Sequence, residues 1–199
     1  MAKAWLEEIM EANAAHLASP DAGKYTKTLL PGNRALFTCM DPRVDIRAVG
    51  ADRPNEEGVV VRLVRNAGGK PDMKAAFILL YLANMKEFAF VAHTDCGLTK
   101  TYNNPERLVQ RMKERLGEER FKQAKALIGE PLEEKIKAWL DAFEDPYEDV
   151  RRRVEEFKNH PLVPPDVIVH GLVQDIFTGK VEIVVNGYEE AAKAQGGGA

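Results

Sequence analysis

The sequence predicts an α/β fold: a mostly parallel central β-sheet flanked by helices, with an N-terminal helical arm and a C-terminal antiparallel hairpin. Three observations predict it. Short apolar or β-branched runs at 34–39, 59–65 and 87–92 alternate with segments of helical period, the rhythm of parallel strands joined by crossovers. The first and third runs end in cysteine- or histidine-bearing polar residues, as strands do where a parallel sheet collects its ligand groups. Two later runs, 166–173 and 180–185, flank Phe177-Thr178-Gly179, a hairpin signal.

Taken in order, residues 3–18 place Trp5, Ile9, Ala12 and His16 at helical spacing with acids in the first turns, an amphipathic packing arm. Ser19 to Gly23 break that pattern, and a loop through Pro31-Gly32-Asn33 enters the buried strand Arg34 to Cys39. Val59 to Arg65 is a second strand. It ends at Asn66-Ala67-Gly68-Gly69, after which Pro71-Asp72 open an apolar helix from Met73 to Asn84. Glu87 to Ala92 forms a third strand and delivers His93-Thr94-Asp95-Cys96-Gly97 at its end.

Residues 105–158 are charged and helical in period, broken near Gly129-Glu130-Pro131 and Asp145-Pro146. Their packing residues read as Leu108, Met112, Leu116, Phe121, Leu127, Ile136, Trp139, Leu140, Phe143, Val150, Val154 and Phe157. Phe77, Phe88 and Phe90 read as core. One domain is expected over 1–199, with 1–30 as the helical arm and 190–199 as a flexible tail.

Lys plus Arg total 28 and Asp plus Glu 31, a net charge of −3, so there is no basic footprint for nucleic acid. Arg151-Arg152-Arg153 shares its segment with Glu155 and Glu156 and reads as a solvated charged face. Carboxylates at Glu7 and Glu8 interrupt any signal-like apolar core, and no apolar run reaches the length of a membrane span. A cytoplasmic protein without a membrane partner is expected. Two cysteines are too few for a disulfide framework.

Those cysteines, Cys39 and Cys96, both follow predicted strands, so a parallel sheet can bring them to one point with His93. Two thiolates and an imidazole with an open fourth position make a catalytic zinc shell. The residues alone leave buried structural thiols as the alternative. A redox dithiol is disfavoured because no Cys-x-x-Cys occurs.

Cys39-x-Asp41-x-Arg43, Arg65-Asn66-Ala67-Gly68-Gly69, His93-x-x-Cys96-Gly97, Val169-His170-Gly171-Leu172-Val173 and Thr178-Gly179-Lys180 together resemble the β-class carbonic anhydrases, from about residue 34 to 185. The resemblance implies Zn2+ bound by Cys39, His93 and Cys96, an Asp41–Arg43 pair beside it, CO2 and bicarbonate as substrates, and a homodimer that builds larger assemblies. Zinc lowers the pKa of a bound water, and the hydroxide attacks the carbon of CO2. Two thiolates weaken the metal as a Lewis acid, so hydration is expected to rise from about pH 7 toward 9.

Asp41 either pairs with Arg43 and leaves the fourth position open, or becomes the fourth ligand in a closed state. An ordinary turn salt bridge is the bland alternative. Asn66, Ala67, Gly68, Gly69 and Gly97 are candidate pocket residues, the glycine turn being either a tight turn or a set of amides aimed at an anion. Pro42 stands where the family usually has a small hydroxyl residue, and Lys70-Pro71 follow the glycines as a further departure. His16, His160 and His170 are weighed as proton carriers, with His16 and His160 read as surface and His170 as a core or interface histidine. Two rival readings are a carbon disulfide or carbonyl sulfide hydrolase on the same scaffold and a non-catalytic zinc- or bicarbonate-binding protein.

Overall fold

The computed structural model describes residues 4–20, 32–52 and 60–196. Its chain divides into two units, residues 1–31 and residues 32–199. The first contributes α1 (Trp5–Leu17), whose Glu7 carboxylate accepts the Ala4 amide at 3.2 Å. None of its residues is buried, so the face of Trp5 and Ile9 is exposed. The sequence breaks expected at 21–23 and at Pro31 lie outside the described residues, as does Val59.

The second unit is built on five strands in the order β2-β1-β3-β4-β5: β1 (Arg34–Cys39), β2 (Val61–Asn66), β3 (Glu87–His93), β4 (Ile168–Gln174) and β5 (Val181–Val185). Strands β2, β1, β3 and β4 run parallel, and only β5 is antiparallel, against β4. The parallel set is therefore one strand larger than the first three strands of the sequence reading. β1 and β3 sit inside the sheet, and their almost unbroken burial explains why they read as apolar runs rather than alternating ones.

Helix α2 (Met73–Tyr81) starts where expected, with the Asp72 carboxylate accepting the amides of Lys74 and Ala75 at 2.9 and 3.1 Å. It stops short of the expected Asn84, whose backbone turns left-handed at φ +53°. Next come α3 (Gly97–Asn103), α4 (Pro105–Ile128), α5 (Leu132–Trp139) and α6 (Pro146–Lys158). The breaks at Gly129-Pro131 and Asp145-Pro146 fall as read, and α4 is further divided at Gly117. The segment from 190 expected as a tail is helical to Gly196, within α7 (Gly187–Gly196), while 197–199 lie outside the described residues. Its Gly187 amide donates to His170 Nδ1 at 3.1 Å, an anchor between residues far apart in sequence.

The core lies between the sheet and α6, where Phe37, Phe88, Phe90 and Phe157 form a cluster with ring centroids 5.1–6.4 Å apart. Phe77 is a correction. It lies on the open side of α2, 46% exposed, against the Tyr81 ring. Leu116, Leu127 and Trp139, read as packing residues, are also exposed. Conversely, Arg153 is wholly buried, and the solvated-face reading of Arg151–Arg153 fails there. His16 is exposed; His160 is half-buried, its Nδ1 accepting the Leu162 amide at 3.2 Å. No helix among the described residues is long and apolar enough to cross a membrane.

Candidate metal centre

Parallel pairing aligns the carboxyl ends of β1 and β3, and that alone brings two distant motifs together. Cys39 is the last residue of β1 and His93 the last of β3. Asp95, at φ +55°, turns the chain so that Cys96 becomes the N-cap of α3. The Cys39 and Cys96 sulfurs and a His93 ring nitrogen lie within 4.8 Å of one another, and all three residues are buried.

The His93 ring is oriented by the adjacent backbone. Thr94 offers only a carbonyl, at 2.8 Å, so Nδ1 carries the proton and donates it there. Nε2 is buried without a hydrogen-bond partner among the described residues. The Cys39 thiol is drawn down, chiefly by the neighbouring Cys96 thiol, against burial and with help from the Asp41 and Gly68 amides. Cys96 moves the opposite way, because donating to Cys39 and burial both favour its neutral form.

Asp41 and Arg43 stand beside these sulfurs. Arg43 Nε and Nη2 donate to Asp41 Oδ1 and Oδ2 at 2.9 and 2.7 Å, and the Arg43 amide adds a third bond to Oδ1 at 3.0 Å. This holds the Asp41 carboxyl well below the usual carboxylate range, the Arg43 hydrogen bond outweighing burial. Arg43 is itself anchored across the site, donating from Nη1 to Asp95 Oδ2 at 2.7 Å, and Lys100 also binds Asp95.

The glycine turn is a spacer as well as a wall. Both Gly68 and Gly69 are left-handed, and a Cβ on Gly69 would meet the Thr38 carbonyl carbon at 2.8 Å. Only glycine lets this turn lie against the end of β1. Asn66 faces away, its side-chain amide donating to the Lys70 carbonyl at 2.8 Å. Ala67, Gly68 and Gly97 line a cleft of about 740 Å³ that opens beside Cys39 and Cys96; Asn66 and Gly69 do not. Its outer wall comes from α4 and α5, through Leu108, Met112, Ile136, Trp139 and Leu140, which gives the charged helical segment a place in the site.

Two participants escaped the sequence reading. In the sequence Arg65 reads only as part of a motif, yet its Nε donates to the Cys39 carbonyl at 3.0 Å and its Nη2 to the Asp41 carbonyl at 2.7 Å. Asp95 is the other, and its place between two ligands was the available signal.

No protein-family model matches the chain. YvdA of Bacillus subtilis, named provisionally as a carbonic anhydrase, is 30% identical over 194 residues, covering 92% of this chain and 93% of its own. The chain belongs to the β-class carbonic anhydrase family. A solved β-carbonic anhydrase, isoform I of Trichomonas vaginalis, superposes with a TM-score of 0.71 at 26% identity, covering 94% of this chain and all of that one. A carbon disulfide hydrolase of Acidithiobacillus thiooxidans is 28% identical over 188 residues, covering 86% of this chain and 83% of its own.

For a β-class carbonic anhydrase the residues at hand fit zinc. Two sulfurs and one imidazole nitrogen are the donors zinc accepts in a catalytic shell with one position left open. The unpartnered Nε2 of His93 has the lone pair that such an ion takes, and its Nδ1 is already fixed by a carbonyl, as metal-binding imidazoles usually are.

Proposed function

We propose that this protein is a carbonic anhydrase, interconverting CO2 and bicarbonate at a Zn2+ held by Cys39 Sγ, His93 Nε2 and Cys96 Sγ. The observation that carries the reading is the convergence of these three buried ligand groups within 4.8 Å, with Cys39 and Cys96 lining an apolar cleft. Zinc supplies one thing when bound: it lowers the pKa of a water it holds, so that a hydroxide nucleophile is available near neutral pH.

The chain's own residues do the rest. Asp41 keeps its negative charge in the grip of Arg43, and Oδ2, which accepts from Arg43 Nη2, retains a lone pair to accept a hydrogen bond from the attacking water, orienting it. With both oxygens engaged by Arg43, Asp41 is held back from the metal position, which supports the open arrangement over the closed one and over a non-catalytic site. Met40, Leu98, Leu108 and Met112 give an uncharged linear substrate an apolar approach with few groups to hold water. The homodimer belongs to the same reading, supported by the exposed apolar side chains Phe77, Ile78, Tyr81 and Leu82 on and beside α2.

The apolar cleft also favours a second reading, hydrolysis of carbon disulfide, whose electrophilic carbon is attacked in the same way. Sequence identities of 30% and 28% to relatives named for the two activities do not choose between them. Stopped-flow CO2 hydration on protein of known zinc content, at about pH 7 and 8.5, with sulfide release from carbon disulfide measured in parallel, separates them. Hydration that rises with pH and vanishes in Cys39→Ser supports the carbonic anhydrase; sulfide release without hydration replaces it with the hydrolase.

A further inference from the structure

Arg153 is an anomaly in α6. Its guanidinium is wholly buried, on a helix whose neighbouring arginines reach solvent. It pairs with Asp149 one turn earlier, and Asp149 is already bound by Lys70 Nζ at 2.8 Å and Arg152 Nη2 at 2.7 Å. Both of those bonds fall on Oδ1, and Arg153 answers the buried Oδ2. A buried ion pair is weak support for stability, since an apolar side chain of similar volume often serves as well. The reach of its guanidinium beyond Oδ2, however, calls for another reason.

Two contacts supply it. Arg153 Nη1 donates to the Gly69 carbonyl at 3.0 Å, and Gly69 is the residue pressed against the backbone of Thr38 and Cys39. The guanidinium also lies 5.3 Å from the centroid of the Phe143 ring, and Phe143 packs in one buried cluster with Cys39, Cys96 and Leu98. A fixed cation thus stands behind a centre that must carry two thiolates when it holds zinc. In a poorly polarisable interior such a charge acts strongly.

We propose that Arg153 is a positioning residue of the metal centre, its buried guanidinium fixing the Gly69 turn against Cys39 and holding a permanent positive charge behind the Cys39–Cys96 pair. This rests on the zinc reading above. Burial pulls the Arg153 pKa below its ordinary value, while Asp149 and Cys96 pull it back. An arginine remains cationic through such a shift.

The test uses the full-length zinc-loaded protein and reads zinc affinity by competition with a chromogenic chelator, alongside circular dichroism and thermal unfolding of the zinc-free form. Arg153→Met and Arg153→Gln remove the charge; Arg153→Lys keeps it but cannot span both Asp149 and Gly69. The neutral variants are expected to bind zinc about 10–100-fold more weakly, with Arg153→Lys between them and the parent. A folded neutral variant within about twofold of the parent overturns the proposal, as does Arg153→Lys no tighter than the neutral pair. If neither neutral variant folds, a folded Arg153→Lys within about twofold of the parent overturns it. A parent that binds no zinc sinks the zinc reading and this inference together, whereas a zinc-bound parent without CO2 hydration sinks only the activity.

Discussion

Asp41 and Arg43 meet as carboxylate and fork, with Nε–Oδ1 at 2.9 Å and Nη2–Oδ2 at 2.7 Å, across the single intervening Pro42. Proline fixes φ and so stiffens this short link, making the departure from the usual small hydroxyl residue compatible with the pair. Arg43→Ala removes the partner of both carboxylate oxygens and frees Asp41 to become a ligand. Turnover is expected to fall on the order of 100-fold with zinc content unchanged, by stopped flow and metal analysis. A fully active variant refutes the clamp.

Gly69 and Gly50 have nearly the same left-handed backbone, φ +68° and +63°, in very different surroundings. A Cβ on Gly50 meets nothing within 4 Å, while one on Gly69 lands 2.8 Å from the Thr38 carbonyl carbon. Gly50→Ala is therefore expected to cost about 1 kcal/mol, the conformational penalty alone. Gly69→Ala adds a backbone clash and is expected to cost about 2 kcal/mol or more. Thermal unfolding reads this as a drop of about 4 °C or more for a chain of this size. Equal effects of the two substitutions would show that the close approach of the turn to β1 is relaxed in solution.

The candidate ligands were legible because Cys39 and His93 each end a strand, with Cys96 three residues beyond, and parallel pairing brings the ends of β1 and β3 together. The roles of Arg65 and Arg153 at the site were not legible. Arg65 reaches a carbonyl 26 residues away, and Arg153 one 84 residues away, so their roles exist only after folding. A local charge pattern makes Arg153 look identical to Arg151 and Arg152, although the helix turns it inward. The same limit explains Phe77: an apolar period on α2 marks a helix, but it cannot say that Phe77 stays half exposed on one side of it. Helix α7 was missed because its Ala- and Glu-rich turns border terminal glycines, and the signal that fixes it, the Gly187–His170 contact, is not local.

Glu87, at the opposite end of the sheet from the metal centre, predicts how acid weakens the fold. Burial alone would raise its pKa, but the Tyr188 hydroxyl, at 2.5 Å, and the Arg34 guanidinium, at 3.2 Å, outweigh that and lower it below its ordinary 4.5. A carboxylate whose folded pKa is depressed stabilises fully above its unfolded pKa and loses that contribution as pH falls through the folded one. Thermal unfolding of Glu87→Gln beside the parent should show the parent's advantage at about pH 6 shrinking toward about pH 3. A gap that stays constant over this range would assign the effect of Glu87 to shape rather than charge.

Arg65 provides the sharpest separation of charge from geometry at the site itself. Its planar fork reaches two carbonyls at once, that of the ligand Cys39 and that of Asp41, and so sets the backbone from which both side chains project. Lysine in its place keeps a positive charge near the sulfurs but brings a single ammonium on a flexible stem, unable to hold both carbonyls in one plane. Arg65→Lys is therefore expected to retain zinc and fold, yet to lose about tenfold or more in kcat, because Asp41 is no longer held at a fixed distance from Cys39. Zinc analysis and kcat measured on the same sample check this. Unchanged kcat would mean that the cation alone suffices, and a parallel loss of zinc and activity would mean that Arg65 supports Cys39 rather than Asp41.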